Sequence, residues 1–166
     1  GDALKPKTEN LSSHKKYLGN IEALAQHLSA AWFKIDASQP ITGFELFGTS
    51  DGKQLAGYSS VNINRREGVF PKIEHEGWTG IAFVNTDSES ANINLTVHDD
   101  NGTVIVQKDI FLKAHEKVVA NPSKLFKGDV SEGTYIAFSS DRQVVGFQLN
   151  GSADGMMLNA LPGMLD

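Results

Sequence analysis

Residues 11–58 recur at 112–161, and this repetition limits the fold more than any other feature of the chain. Leu11, His14, Lys16, Asn20 and Leu24 return 101 residues later as Leu112, His115, Lys117, Asn121 and Leu125. The spacing then becomes 103: Gly43, Phe44, Leu46, Gly48, Asp51, Gly52 and Leu55 return as Gly146, Phe147, Leu149, Gly151, Asp154, Gly155 and Leu158. Together these are 12 identities over 14 and 28 aligned positions. The stretch between, roughly 61–111, occurs once. If a repeat is one structural unit, the order is B–A–B, a complete unit preceded by the second half of another. The expected division is 1–60 as a partial repeat with a short helix near 20–29, and 61–166 as a full β-sandwich repeat, the two packed together.

Period-two alternation points to strands. Ile93, Leu95 and Val97 alternate with Asn92, Asn94, Thr96 and His98. Asn101-Gly102 follows, the favoured type I′ hairpin pair, and the chain returns through 103–108 with Val104 and Val106 on one face. Residues 79–86 are apolar on both faces and read as a central strand. Residues 69–74 read as an edge strand, because Pro71 cannot donate to a ladder. Segments 134–139 and 143–149 read as two strands joined by a turn at Ser140-Asp141-Arg142, with Ile136, Phe138, Val145, Phe147 and Leu149 inward. Their partners are 31–36 and 41–47, with Ser38-Gln39-Pro40 as the link. Asp51-Gly52 and Asp154-Gly155 mark turns into short strands at 53–58 and 156–161. Asn121 before Pro122 caps a single helical turn over 122–127. Residues 1–9 read as a linker or frayed end.

Short strands with turn signals every eight to twelve residues give an all-β sandwich or barrel. The expected fold is an immunoglobulin-like antiparallel β-sandwich with one full unit, a half unit and one or two short helices. Gly80-Ile-Ala-Phe-Val-Asn85, the alternating Ala91–Asp99 run ending at Gly102, and Val144-Val-Gly-Phe-x-Leu149 carry a resemblance. This pattern resembles the β-sandwich repeat modules strung along bacterial secreted and cell-surface proteins. The likeness covers about 61–161. It implies a secreted, periplasmic or cell-surface location and a spacer or binding role, and it brings no functional residues with it.

Composition excludes several classes. The net charge is −5, all of it in 61–166, where nine Lys and Arg face fourteen acids. Nucleic acid is not an expected partner, since phosphate neutralisation needs a basic surface. No apolar run approaches the ~20 residues of a membrane helix. Cysteine is absent, which removes disulfides, a thiol nucleophile and Cys-ligated zinc. The chain begins at Gly rather than Met, as expected of a processed chain whose leader has been removed.

Each candidate motif has a plainer reading. Gly48-Thr-Ser50-Asp-Gly52 matches a nucleophile elbow in letters, but lies between two strands, and its repeat has Ala153 in place of the serine. A β-turn is expected. In Glu74-His75-Glu76, strand alternation sends His75 away from the glutamates, so a solvated edge is expected. Asp99, Asp100 and Asn101 are a weak calcium candidate: twelve positions in, Ile110 stands where an EF-hand needs Glu. Arg65, Arg66 and Lys72 read as a solvated basic loop. His14 and His115 share Leu-x-x-His-x-Lys, which suggests a repeated structural duty. Trp32, Trp78 and Tyr135 are the candidate ligand-binding residues, because exposed aromatics stack on sugar rings.

The half unit poses its own question. Phe33, Ile35, Phe44, Leu46 and Leu55 form an apolar set worth on the order of ten kcal/mol if buried. The cover is expected from the central segment or the 20–29 helix; a second chain, through swapping or strand addition, would make the protein a homo-oligomer. The expected function is a non-catalytic extracytoplasmic module for structural display, adhesion or macromolecular binding, with a protein or polysaccharide partner and no cofactor. The alternatives are a carbohydrate-binding module and, third, a hydrolase on a sandwich scaffold.

Overall fold

The computed structural model describes residues 6–21, 32–61, 64–127 and 130–163. They form the strands β1 (Phe44–Gly48), β2 (Leu55–Ser59), β3 (Arg65–Phe70), β4 (Gly77–Asn85), β5 (Ala91–His98), β6 (Val104–Leu112), β7 (Lys117–Ala120), β8 (Tyr135–Ser152) and β9 (Leu158–Pro162). A short helix, α1 (Pro122–Phe126), follows β7, with Asn121 accepting a bond from the Lys124 amide as its cap (2.9 Å). All strand pairings are antiparallel, and the all-β expectation holds. Of the helix expected near 20–29, residues 22–29 lie outside the described residues.

β8 organises the larger sheet. Its first half pairs with β5 and β3, its second half with β4 and β9, and the order is β6-β5-β8-β4-β7. One apolar cluster draws on both halves: Ile93, Leu95 and Val97 from β5, Ile81 and Phe83 from β4, Phe70 from β3, and Ile136, Phe138 and Val144 from β8. The sheet therefore curls over its own inner face. At the centre Phe70, Phe83 and Phe138 lie 5.0–5.7 Å apart between ring centroids, in the tilted and edge-on geometries that ring quadrupoles favour. A Cβ at Gly163 would stand 2.4 Å from the Phe70 ring, so only glycine lets the end of β9 close over it.

The β5 alternation holds, with Ile93, Leu95 and Val97 fully buried. The hairpin after it forms, but not as type I′. Only Gly102 has positive φ (81°), and the Gly102 amide donates to the Asp99 carbonyl. Asp99 Oδ1 accepts from the amides of Asn101 and Thr103, fixing a turn with glycine in the left-handed position. β4 is central as expected, lying between β8 and β7. β3 ends at Phe70 rather than running to 74, and it starts at Arg65, so Arg65 and Arg66 open a strand instead of lying in a loop.

β8 departs most from the sequence reading. Residues 140–142 are not a turn; the strand runs unbroken for 18 residues. Unbroken alternation keeps all even positions on one face. Ile136, Phe138, Val144, Gly146, Gln148 and Asn150 therefore point inward, while Val145, Phe147 and Leu149 lie half-buried on the outer face. Two of the inward polar side chains find partners there, although Gln148 Oε1 has none among the described residues. Gln148 donates to the Lys72 carbonyl, and the Thr79 hydroxyl donates to Asn150 (2.7 Å).

The outer face is covered by the β1–β2 hairpin. Tyr58 and Phe47 pack edge-on against Phe147, at 4.6 and 6.1 Å between centroids. Gln54 Nε2 donates to the Met157 carbonyl (3.0 Å). Burial of Tyr58 in this contact pushes its hydroxyl up to about 12.

The two hairpins are built alike at the 103 spacing. Gly48 pairs with Leu55 and Phe44 with Ser59; Gly151 pairs with Leu158 and Phe147 with Pro162. Gly52 and Gly155 have φ of 71° and 70°. Thr49 Oγ donates to Asp51 Oδ1, and Ser152 Oγ to Asp154 Oδ1. The same aspartates accept from the amides of Lys53 and Met156. Upstream, His14 and His115 both have φ of 57°, each in a turn closed by the next residue's amide. Histidine is among the side chains that tolerate this region, so the shared His is a backbone device.

The likeness fails at 16–19, exposed coil where the second segment has β7, and again at 32–43. Strands expected at 31–36 and 41–47 reduce to β1 alone, while 135–146 is strand throughout. Phe33, Ile35, Phe44, Leu46 and Leu55 stand 44–69% exposed, so the apolar set expected to be covered is open.

Candidate binding face

The outward residues of β5, β6 and the first half of β8 form rows fixed by register. Asn92 pairs with Phe111, with Asp141 beside it; Asn94 lies between Asp109 and Ser139; Thr96 lies between Gln107 and Ala137; His98 pairs with Tyr135. The Asn92 to His98 rows span ~20 Å at the ordinary strand rise. Asn92, Asn94, Asp109, Ser139, Ser140 and Asp141 line a shallow open groove at one end. Phe111 stands beside it, 58% exposed.

The polar side chains are held in place by one another. Asn92 grips Asp141 twice, its amide N to Oδ1 (2.8 Å) and its Nδ2 to Oδ2 (2.9 Å). Asn94 Nδ2 donates to Asp109 Oδ1 (2.6 Å), and Ser140 Oγ to the Asn92 carbonyl (3.1 Å). Arg142 bridges to Glu89 at the groove's edge. Each amide keeps a second N–H and an oxygen for another partner. Such a face can donate to and accept from a multiply hydroxylated surface, with an apolar ring alongside.

The Asn92 side chain, then its backbone amide, holds the Asp141 carboxyl below its ordinary 3.8. A carboxyl depressed on folding adds stability that is present above its unfolded pKa and lost as pH falls through the folded value. In a pH titration by NMR, the Asn92 side-chain amide is expected to shift with a midpoint below 3.8. A midpoint at or above 3.8 would mean the pair does not persist in solution.

The aromatics read from sequence do not form one platform. Tyr135 lies on the face just described, stacked on His98 (4.8 Å, 4°). Trp78, 42% exposed, belongs to the other half of the sheet, its ring over Gly151 at the far end of β8. Trp32 is half-buried against the 113–116 turn, its Nε1 donating to the His115 carbonyl (3.2 Å). Phe111 escaped sequence reading because the strand reading ended at 108, and two more periods of alternation, through Asp109, would have placed it outward.

The remaining motifs fall to their plain readings. Ser50 lies in the β1–β2 turn. Glu74 pairs with Lys72 (2.7 Å), and His75 Nε2 is bonded to the Gly133 carbonyl (2.7 Å), so the Glu-His-Glu run is tied in two directions off any strand. The backbone amide of Thr103, with that of Asn101, holds Asp99 below its ordinary value. Among the described residues no three His, Cys, Asp or Glu gather as a metal set, and no helix is long and apolar enough to cross a membrane.

No family model matches the chain, and no curated protein does. Among solved structures, the chain is similar to Thermotoga maritima 1070, with a TM-score of 0.53 and 17% identity over 64% of this chain and 97% of that one. A weaker likeness is to the Anabaena sensory rhodopsin transducer, with a TM-score of 0.44 and 12% identity over 52% of this chain and 97% of that one. The first shows a shared fold and nothing of function.

Proposed function

We propose that this chain is a non-catalytic binding module of a bacterial extracytoplasmic protein, built from one repeat unit and the second half of another. The row of Asn92–Asp141 and Asn94–Asp109 pairs beside exposed Phe111 carries this reading. Groups already fixed by neighbours lose little freedom on binding, which favours recognition over a mobile surface. Asp141 is tied to an amide that keeps it ionised, a poor arrangement for a general acid. The matched turns of the two hairpins support the repeat, and the resemblance to secreted sandwich modules supports the location.

A polysaccharide is the partner this face fits best. Sugars present apolar C–H faces for a ring such as Phe111, and hydroxyls for amides and carboxylates. On an array of glycans and cell-wall polymers, the chain is expected to bind at least one polymer. Phe111→Ala should weaken that binding about tenfold or more, the scale of a lost aromatic contact. Trp78→Ala should leave it unchanged. No binding to any polymer, or loss on Trp78→Ala alone, would sink the assignment.

A further inference from the structure

Residues 32–43 occupy the positions that 135–146 fill in the second segment. There Ile136, Phe138 and Val144 are 0, 4 and 1% exposed. Their counterparts Phe33, Ile35 and Ile41 are 44, 57 and 52% exposed. The side chains are of one kind, so the difference lies in the neighbours. Leu95 of β5 stands opposite Phe138 and Val97 opposite Ile136, while β3 flanks the other edge. The stretch that supplies β3 to β5 occurs once in the sequence, and it is committed to β8.

We infer that residues 32–37 are a receptor for one added β-strand of β5 chemistry, supplied by another polypeptide segment. The donor would carry three apolar residues at alternate positions and run antiparallel. By the β5–β8 register, those residues would face Ala37, Ile35 and Phe33, as Ile93, Leu95 and Val97 face Ser140, Phe138 and Ile136. The completed strand would lead into β1, whose hairpin already packs on Phe147, so the new contact extends an interface the chain possesses. Pro40 is no obstacle. It stands where Gln143 does, and 141–143 have no register partner in β8. A second copy of the chain is a poor donor. Each copy holds two second halves and one first half, so lending β5 would uncover its own β8.

The test adds a synthetic peptide of residues 90–99 to the full chain and follows hydrogen exchange by mass spectrometry. The native peptide is expected to slow exchange over 32–37 about tenfold or more, the signature of amides gaining a ladder partner. A peptide carrying I93S, L95S and V97S should do nothing. Ile35→Asp in the chain should abolish the protection while β5 and β8 exchange as before, since Ile35 is exposed. No slowing at saturating peptide, or equal slowing by the altered peptide, overturns the inference. So does protection without peptide that grows with protein concentration, which would make a second copy the cover. Peptide capture and polymer binding use different faces, so either can fail alone.

Discussion

Phe138→Ala is expected to destabilise the protein by about 3–5 kcal/mol, while Ile35→Ala changes stability by no more than about 0.5 kcal/mol. The two residues hold the same place at the 103 spacing. Phe138 is 4% exposed and touches the rings of Phe70 and Phe83; Ile35 is 57% exposed. Truncating the first leaves a cavity at the centre of the core, and truncating the second removes little that water did not already reach. Urea denaturation of both variants, with slopes checked for constancy, measures the contrast. A cost for Ile35→Ala approaching that for Phe138→Ala would mean the 32–43 face is covered in the chain by itself.

Asn85→Ala should cost about 3 kcal/mol or more. Asn85 is fully buried at the end of β4. Its Nδ2 donates to the carbonyls of Glu89 (2.7 Å) and Lys113 (3.0 Å), and its Oδ1 accepts from the Asp87 amide (3.0 Å). One side chain thus joins the β4–β5 loop to the turn after β6. Removing it leaves a void at a fully buried position and takes the partner from three backbone groups, and a shielded group left unpaired costs ~1–3 kcal/mol. Asn85→Asp keeps the shape but sets a carboxylate against two carbonyls, so it should cost at least as much at neutral pH. Denaturation midpoints measure both, and hydrogen exchange at 86–90 and 113–116 should rise together. A loss below about 1 kcal/mol for Asn85→Ala would show that water replaces the side chain there.

Neither effect was visible to pattern reading for the same reason. Alternation says which side chains share a face, but not which face is covered. Asn85 closes a run, Gly80 to Val84, that reads as apolar throughout, and its partners lie four and twenty-eight residues on. Reading Phe147 and Leu149 as inward because they are apolar turns Gln148 outward; the bonds to Lys72 and Thr79 that bring Gln148 and Asn150 inside join distant segments. The candidate face was half legible. Asn92 and Asn94 were placed on a wet face at once, whereas Asp109 and Phe111 lay beyond where the strand was ended, and Asp141 was placed in a turn that does not exist.

What the sequence determined by itself is local. The Asp51-Gly52 and Asp154-Gly155 turns, the Asn121 cap, the left-handed His14 and His115 and the inward row of β5 each depend on residues within a few positions, so adjacent letters suffice to specify them. The tertiary structure decided everything that depends on a partner strand. Residues 135–146 are a buried strand and 32–43 an exposed coil, although their apolar positions correspond, because β3, β4 and β5 lie against one and not the other. A strand's hydrogen bonds are made to another segment, and its own side chains do not record whether that segment is present.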